Sequence, residues 1–232
     1  MKRHALNIQS EFSALGMRKF ISPLLPSLIR AVMEVRQARN LRPPKLAVDY
    51  GCGLLRNLKE IRKHFPLLCL VDTELQLTRL HDFGGSRLTI REYIARHYRD
   101  NSIRVLTHEE FQASDISPDV ILSINVMDVV RPETRRAILG VVRRHLLPTG
   151  QFASLVPRND SHTLQLCRTA QRYRDGHVFP NHGAFTYYRN WSDDALKGLY
   201  RSYGLQVARD LSRYRYSCVV CLPNKQVKRT AT

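Results

Sequence analysis

The sequence predicts an α/β fold built on one mostly parallel β-sheet, and three observations support this prediction. Short apolar runs alternate along the chain with segments whose apolar residues recur at helical spacing. The strongest of these runs are KLAVDY, PLLCLVD, PDVILSINV and QFASLVP, and such continuous apolar strands are typical of sheets covered by helices on both faces. A chain of 232 residues with 43% hydrophobic and 25% charged residues also has the size and balance of one globular domain.

The first predicted element is a helix that begins near Pro26, a residue suited to a first helical turn. Residues 1–44 are interpreted as an N-terminal helical extension, because the proline-containing linker ARNLRPPK separates this helix from the strand KLAVDY. Two glycines follow that strand directly. Helical spacing then resumes from Leu54 to Phe65, so strand, glycine turn and helix occur in the order of a βα unit.

The same alternation continues through the middle of the chain. PLLCLVD predicts a second strand and ELQLTRLHD a helix after it, and the spacing of Ile90, Tyr93, Ile94 and His97 predicts another helix. IRVLT and PDVILSINV are the next two strands. PETRRAILGVVRRHLLPTG is a helix with a proline in its first turn and a Pro and Gly at its end, and the strand QFASLVP follows it.

The last quarter of the chain has a different composition. Residues 158–191 are rich in His, Tyr, Phe and Arg, and we interpret them as a substrate lid. A helix is expected at SDDALKGLYRSYG, and LQVARDLS and YSCVVCLP are expected to pair as antiparallel strands. Residues 223–232 form a basic tail that we expect to be disordered.

Charge and cysteine content limit the possible partners and environments. The formal net charge of +17 favours phosphate-rich partners such as RNA, although an excess of arginine also arises from genome base composition. Five scattered cysteines do not indicate a disulfide framework, so a reducing, cytoplasmic location is expected. Cys218 and Cys221 lie three residues apart on a predicted strand and therefore on opposite faces, so no metal site is predicted. No membrane-spanning segment is evident.

Four motifs occur in an order that resembles a known family. VDYGCGLLRN is similar to the first motif of class I S-adenosylmethionine-dependent methyltransferases, an acid followed by alternating glycines. Asp72 at the end of the second strand, PDVILSINVMDVV, and HLLPTGQF resemble the family's later motifs. The resemblance covers residues 45–222 and identifies no subfamily. It implies a Rossmann-like, doubly wound, mostly parallel seven-stranded sheet that ends in an antiparallel hairpin.

The resemblance also implies S-adenosylmethionine as the cofactor and assigns residues to it. Asp49 would meet the cationic amino end, directly or through water, and the glycines would let the backbone approach the ligand closely. Asp72 would accept the ribose hydroxyls, and the backbone of the fourth-strand motif would face the methyl donor. The implied cofactor-binding residues are Asp49, Gly51, Cys52, Gly53, Asp72, Asn125, Val126 and Met127.

Each assignment has a simpler structural alternative. The glycines can form a tight turn without any ligand, and Asp49 or Asp72 can each cap the helix that follows it. The sequence also departs from the family at Leu55, where many members have a third glycine.

The methyl acceptor is not identified by the sequence. Ser123 to Val126 lack the Pro-Pro-aromatic motif of enzymes that methylate exocyclic amino groups of DNA bases, and no Pro-Cys pair supplies a nucleophile for cytosine. Transfer to an oxygen or nitrogen of a small molecule or RNA is therefore expected. The candidate catalytic bases are His177, His182 and Tyr187, and the candidate acceptor-lining aromatics are Phe179, Phe185, Tyr187, Tyr188 and Trp191.

Two other functions remain open from the sequence. One is a basic RNA-binding protein that keeps the fold without turnover, which the charge and Leu55 suggest. The other is an aminopropyltransferase, which shares the fold and uses a decarboxylated cofactor. His108 follows the strand IRVLT and is expected near the adenine in this fold, in a packing or adenine-contact role.

Overall fold

The protein is described from a computed structural model, in which residues 23–158, 161–181 and 184–224 are described. The helices are α1 Leu25–Ala38, α2 Leu58–Arg62, α3 Glu74–Thr78, α4 Ile90–His97, α5 His108–Ala113, α6 Pro132–His145, α7 Ser161–Thr169 and α8 Asp193–Ser202. The strands are β1 Leu46–Tyr50, β2 Leu67–Asp72, β3 His81–Phe83, β4 Ser86–Leu88, β5 Ile103–Thr107, β6 Val120–Ile124, β7 Gln151–Pro157, β8 Gln171–Tyr173, β9 Gly176–Asn181, β10 Ala184–Tyr188, β11 Leu205–Asp210 and β12 Tyr216–Pro223.

A seven-stranded sheet in the order β11-β12-β7-β6-β1-β2-β5 forms the centre of the molecule. Strand β1 pairs in parallel with both β2 and β6, while β12 is antiparallel to β7 and to β11. The predicted fold class, a mostly parallel sheet that ends in an antiparallel hairpin, is confirmed. The order reverses at β1, so the carboxyl ends of β1 and β6 border the crevice where ligands bind in such sheets.

Helices cover both faces of this sheet, as the continuous apolar strands predicted. One core joins Ala47, Leu68 and Leu122 to helices α1, α2 and α4, and the other joins Val48 and Ile121 to helices α5, α6 and α8. The alternation of neighbouring residues between the two cores is the two-residue period of a strand. Cys218 and Cys221 also belong to different cores, so the prediction that they lie on opposite faces is confirmed.

A buried carboxylate fastens α1 to the amino ends of two strands. Asp119 accepts hydrogen bonds from the backbone amides of Lys45 (2.9 Å) and Leu46 (3.2 Å) and forms a 3.4 Å ion pair with the buried Arg36 of α1. The contact joins α1, β1 and β6 at the end of the sheet opposite the crevice. Helix α1 is thereby part of the sheet's own packing.

Two expected helices are shorter than their sequence spacing suggested. Helix α2 begins only at Leu58, because Leu55 has a left-handed backbone, with φ of 58°, that a right-handed helix cannot contain. The run ELQLTRLHD is helical only to Thr78, and its last residues enter a β3–β4 hairpin that turns at two positive-φ glycines. Gly84 and Gly85 were the signal for this turn.

The segment interpreted as a lid has regular structure of its own. Helix α7 precedes a three-stranded antiparallel sheet, in the order β10-β9-β8, that packs around Val178 and Tyr187. The sequence analysis missed this sheet because its strands are short and carry polar and aromatic residues on both faces. Residues 1–22 of the predicted extension and 225–232 of the predicted tail lie outside the described residues. No helix in the described ranges is long and apolar enough to cross a membrane.

Candidate functional site

A cavity of about 350 Å³ opens at the carboxyl ends of β1, β2, β5 and β6. The loops that follow these four strands supply its wall. Gly51, Cys52 and Gly53 come from the first loop, Asp72 from the second, His108 and Glu109 from the third, and Asn125 and Val126 from the fourth. Its volume lies in the range of small-molecule sites, which is about 300 to 1,000 Å³.

The glycine loop is shaped by its approach to the loop after β6. Gly51 has φ of 83°, and a Cβ there would lie 2.4 Å from a methyl carbon of Val126. Gly53 also has a positive φ, of 53°, but a Cβ on it would meet nothing closer than 4.0 Å. The first glycine is therefore required by packing between two loops, and the second only by its backbone conformation.

Asp72 holds the glycine loop in place. Its carboxylate accepts hydrogen bonds from the backbone amides of Gly53 and Thr73, both at 2.8 Å. Thr73, and not Asp72, caps helix α3, since the Thr73 side chain accepts from the Gln76 amide. The helix-cap alternative for Asp72 is therefore excluded, and Asp72 lies on the wall of the cavity.

Asp49 is a buried carboxylate that the described residues do not stabilise by a hydrogen bond. It is 1% exposed inside β1, and within the described part of the chain neither of its oxygens has a hydrogen-bond partner. Burial, and secondarily the charge of Asp72, raises the pKa of the Asp49 carboxyl to about 7. Asp49 caps no helix. It precedes the cavity-lining residue Tyr50 in the chain, and its carboxylate is the kind of group that a cationic ligand would stabilise.

The loop after β6 turns sharply at Asn125, which has φ of 59°. Asn125 and Val126 line the cavity, whereas the Met127 side chain is fully buried in the core on the α6 face. The Met127 carbonyl accepts a 3.0 Å hydrogen bond from the Trp191 indole. Of the three residues implied for this loop, two face the cavity with their side chains, and Met127 anchors the loop from behind.

Asp128 is a cavity-lining residue that the sequence analysis missed. It is 1% exposed, and neither carboxylate oxygen has a hydrogen-bond partner among the described residues. Burial raises the pKa of Asp128 to about 7, against the lowering influence of its own backbone amide and of Arg135. The sequence feature that could have indicated this residue is a single acid in the mostly apolar run INVMDVV, at the end of a predicted strand.

The wall after β5 carries a histidine and a tyrosine in contact. His108 opens α5, and its Nδ1 shares a short hydrogen bond with the Tyr50 hydroxyl. Burial lowers the pKa of His108 and raises that of Tyr50, so both side chains are neutral at neutral pH. His108, next to Glu109, lies on the β5 side of the cavity, and Tyr50, which ends β1, reaches it through this hydrogen bond.

The aromatic residues expected to line an acceptor pocket lie in packed interiors. Tyr187 and Tyr188 are fully buried, Trp191 and Phe179 are nearly so, and Phe185 packs beside Tyr187. In the described part of the wall, none of them lines the cavity. They pack within the small sheet and at its junction with α6.

A buried polar cluster makes that junction. Arg135 of α6 donates hydrogen bonds to Asp175 (2.8 Å) and to the Tyr187 hydroxyl (2.9 Å), and Tyr187 donates to Asp175. The guanidinium of Arg189 lies 3.7 Å from the centre of the Trp191 ring, and that of Arg135 lies 4.9 Å from it. With its hydroxyl held in this cluster and its pKa raised by burial, Tyr187 is not placed to act as a base.

The two candidate histidines differ in what the structure describes. His177 is half-buried on β9 and is not part of the described lining. His182 lies outside the described residues. No group of residues suited to a metal ion is found in the described ranges.

Comparison with known proteins shows a shared fold at low sequence identity. No family model matches the chain. Uncharacterized protein YmfD of Escherichia coli strain K12 is 24% identical over 212 residues, which is 90% of each chain. The DhpI–SAH complex superposes with a TM-score of 0.60 at 14% identity and covers 94% of both chains.

A second solved structure gives the same result. It is the Burkholderia thailandensis 1,6-didemethyltoxoflavin-N1-methyltransferase, with bound 1,6-didemethyltoxoflavin and S-adenosylhomocysteine. It matches with a TM-score of 0.55 at 15% identity, over 85% of this chain and 78% of that one. Together with the strand order and the glycine loop, these matches show that the chain has the fold of the class I S-adenosylmethionine-dependent methyltransferases.

Proposed function

We propose that this protein is an S-adenosylmethionine-dependent methyltransferase that transfers a methyl group to an oxygen or nitrogen atom of its acceptor. One observation carries the proposal: the buried carboxylate of Asp49, which accepts no hydrogen bond from the described residues, lies two residues before a glycine loop at the switch point of the sheet. A buried carboxylate of this kind is stabilised by a neighbouring cation, and the amino group of S-adenosylmethionine supplies one.

The chain's residues fit the rest of this cofactor. The positive-φ backbone of Gly51 and Gly53 leaves room for the ligand's central part, and Asp72 offers carboxylate oxygens to the ribose hydroxyls. The neutral His108 and Tyr50 suit the uncharged adenine. When bound, the cofactor supplies a methyl group activated by a positively charged sulfur.

The same loop disfavours a pyrophosphate ligand. Dinucleotide sites place the phosphates on the amino end of a helix that follows the glycines at once. Here helix α2 begins at Leu58, five residues after Gly53, and the Gly53 amide already donates to Asp72. Two carboxylates beside the loop would also repel a phosphate.

Calorimetry tests the proposal directly. Purified protein is titrated with S-adenosylmethionine, with S-adenosylhomocysteine and, as a control, with NAD. We expect binding of the first two and none of NAD. No binding of either sulfur compound at high micromolar concentration would reject the proposal and would favour the RNA-binding alternative.

A competition experiment addresses the aminopropyltransferase alternative. Decarboxylated S-adenosylmethionine keeps the amino group but lacks the carboxylate, so a preference for it over S-adenosylmethionine would favour aminopropyl transfer. We expect the reverse preference. Filter binding of mixed RNA at two salt concentrations tests the net charge of +17, and binding that vanishes near physiological salt would mark that charge as nonspecific.

A further inference from the structure

A second groove, separate from the cofactor cavity, lies between helix α1 and the end of strand β11. This α1–β11 groove has a volume of about 370 Å³, and its wall combines residues 24–34 with residues 209–213. Strand β11 runs in the same direction as β7, because both are antiparallel to β12, and β7 is parallel to β6. The end of β11 therefore lies at the same edge of the sheet as the cofactor cavity, four strand spacings of about 4.8 Å from β1.

The wall of the α1–β11 groove is basic. Arg30, Arg209 and Arg213 line it, and Glu34 is the one carboxylate in the described part of its lining. Glu34 lies 3.8 Å from the Arg209 guanidinium. Among the described residues, no ion pair joins Arg30 or Arg213 to a carboxylate. The groove therefore has an excess of guanidinium groups, which bind phosphates in bidentate geometry.

The amino end of α1 adds to the positive potential of the groove. Leu24 and Ser27, at the start of this helix, belong to the wall. The first turn contains no acidic residue, and no side chain caps it with a hydrogen bond. Because the amino end of a helix has a partial positive charge, it attracts phosphates. Together with the arginines, it favours an anionic occupant.

The turn between β11 and β12 presents an aromatic side chain next to the groove. Arg213 and Tyr216 exchange backbone hydrogen bonds of 2.8 and 3.0 Å, so Tyr214 and Arg215 form the tip of the turn. The Arg158 guanidinium donates to the Arg213 carbonyl at 2.7 and 3.0 Å. On this well-bonded backbone Tyr214 is 74% exposed, with an arginine on each side of it in the chain. Exposed aromatic rings among basic residues are typical of surfaces on which nucleic-acid bases stack.

We propose that the α1–β11 groove and the tip of the β11–β12 turn bind single-stranded RNA. Its phosphates contact the Arg30 and Arg213 guanidinium groups, and an unpaired base stacks on the Tyr214 ring. This inference goes beyond the proposed function and does not depend on it. A duplex is disfavoured because its bases are already stacked on one another. A free nucleotide is disfavoured because the basic surface continues beyond the groove to the exposed Arg215.

Two polar groups of the groove favour RNA over DNA. The Ser27 hydroxyl and the Glu34 carboxylate belong to the same wall as the arginines. A ribose 2′-hydroxyl both donates and accepts hydrogen bonds, so it suits a carboxylate beside a serine hydroxyl. For a phosphate alone the carboxylate is unfavourable, and DNA has no 2′-hydroxyl to donate to it.

Fluorescence anisotropy with the full chain, in the absence of cofactor, tests this proposal. The probe is a labelled single-stranded RNA of about 12 nucleotides and mixed sequence, which is within the usual range of site sizes. We expect a dissociation constant of about 1 to 100 μM near physiological salt. The logarithm of the affinity should fall against that of the salt concentration with a slope of about −1.4 to −2.1, as for two or three phosphates.

Substitutions of exposed side chains separate the contributions of charge and stacking. Arg30→Gln and Arg213→Gln should each weaken binding about three- to tenfold and make the salt slope shallower by about 0.7. Tyr214→Ala should weaken binding about fivefold or more without a change of slope, and Tyr214→Phe should remain within about twofold of wild type. The thermal midpoints of these variants should stay at the wild-type value, since each altered side chain is exposed.

The matched control is Arg87→Gln. Arg87 is an exposed residue of β4, in the part of the chain between β2 and β5, which are the strands at the other side of the sheet. Its substitution removes the same charge from the protein but none from the groove, so the variant should bind the RNA within about twofold of wild type. If Arg87→Gln weakens binding as much as Arg30→Gln and Arg213→Gln do, the proposal is overturned.

Competition experiments test the kind of ligand. Unlabelled RNA of the same sequence should displace the probe, and the matching single-stranded DNA should compete about threefold less well or worse. An RNA duplex, AMP and vesicles of phosphatidylglycerol should compete more weakly still at equal phosphate concentration. Displacement by any of these four competitors as effective as that by the single-stranded RNA would overturn the assignment, as would a wild-type protein that does not bind the probe. Failure of the proposed function would be recognised separately, because the calorimetric titration with S-adenosylmethionine does not involve the groove.

Discussion

The Asp49→Asn substitution is expected to reduce the pH dependence of the protein's stability and to remove cofactor binding. The Asp49 carboxyl has a folded-state pKa of about 7 because it is buried beside Asp72. In the unfolded chain its pKa is about 3.9. Since the folded-state value is the higher one, the neutral acid stabilises the folded protein at low pH, and this contribution is lost as the pH rises through 7.

The size of this effect follows from linkage. Between about pH 5 and about pH 8, a single group with these two pKa values removes about 2 to 3 kcal/mol from the free energy of unfolding. An asparagine cannot ionise, so the free energy of unfolding of Asp49→Asn lacks this dependence on pH. Its buried amide, left without partners, costs about 1 to 3 kcal/mol at every pH. The pH dependence of the difference is therefore a sharper readout than its value at one pH.

The assay is urea denaturation at several pH values, with the exposed Asp115→Asn variant as the control. The stability of Asp49→Asn relative to wild type should rise by about 2 to 3 kcal/mol from pH 5 to pH 8. In wild type, affinity for S-adenosylmethionine should increase over the same range as Asp49 ionises, and the variant should lack both affinity and trend. If the free energy of unfolding changes with pH in the same way in wild type and in Asp49→Asn, the reasoning that Asp49 is a buried, uncompensated acid is refuted.

Three further predictions follow from contacts in and near the cavity. Asp72→Ala should weaken cofactor binding by about 1 to 3 kcal/mol in calorimetry. Asp72→Asn should weaken it by less, because the amide oxygen of the asparagine still accepts a hydrogen bond from the glycine loop. Unchanged affinities would mean that Asp72 does not bind the cofactor. Gly51→Ala should lower Tm and abolish binding because its Cβ would lie 2.4 Å from a methyl group, whereas Gly53→Ala has space and should cost only about 1 to 2 kcal/mol of backbone strain. Equal losses in the two glycine variants would contradict this distinction. Arg135→Lys should lower the free energy of unfolding by about 1 to 3 kcal/mol through lost hydrogen bonds, and the exposed Arg136→Lys should be neutral in the same urea titrations.

The sequence predicted the central sheet because its strands carry strong local signals. Each central strand is a continuous apolar run, and the motif at each strand end limits the possible strand orders. The hairpin at Gly84 and the small sheet after Pro157 were not predicted, because their strands are three to six residues long and are stabilised by tertiary contacts. The Arg135 cluster that fastens the small sheet joins Arg135 to residues 40 and 52 positions further along the chain. Local sequence patterns do not predict contacts between residues so far apart.

The site was predictable only in part, for the same reason. Asp72 and the glycine loop stand at strand ends and can be found from their positions. Asp128 lies in the turn after β6, beyond the positive-φ Asn125, so its burial depends on a local backbone path that strand periodicity does not predict. The aromatic residues of the lid segment misled the prediction because burial and ligand stacking require the same residue types.

Asp49 and Asp128 are two buried carboxyls whose charged neighbours differ. Both have their pKa raised to about 7 mainly by burial, but their neighbours act in opposite directions. The charge of Asp72 further disfavours ionisation of Asp49, whereas Arg135 favours ionisation of Asp128. In the free protein, ionisation of Asp49 above pH 7 leaves a buried charge and lowers stability. A cation bound beside Asp49 would lower its pKa and hold it ionised below pH 7, so we expect cofactor binding to recover this stability.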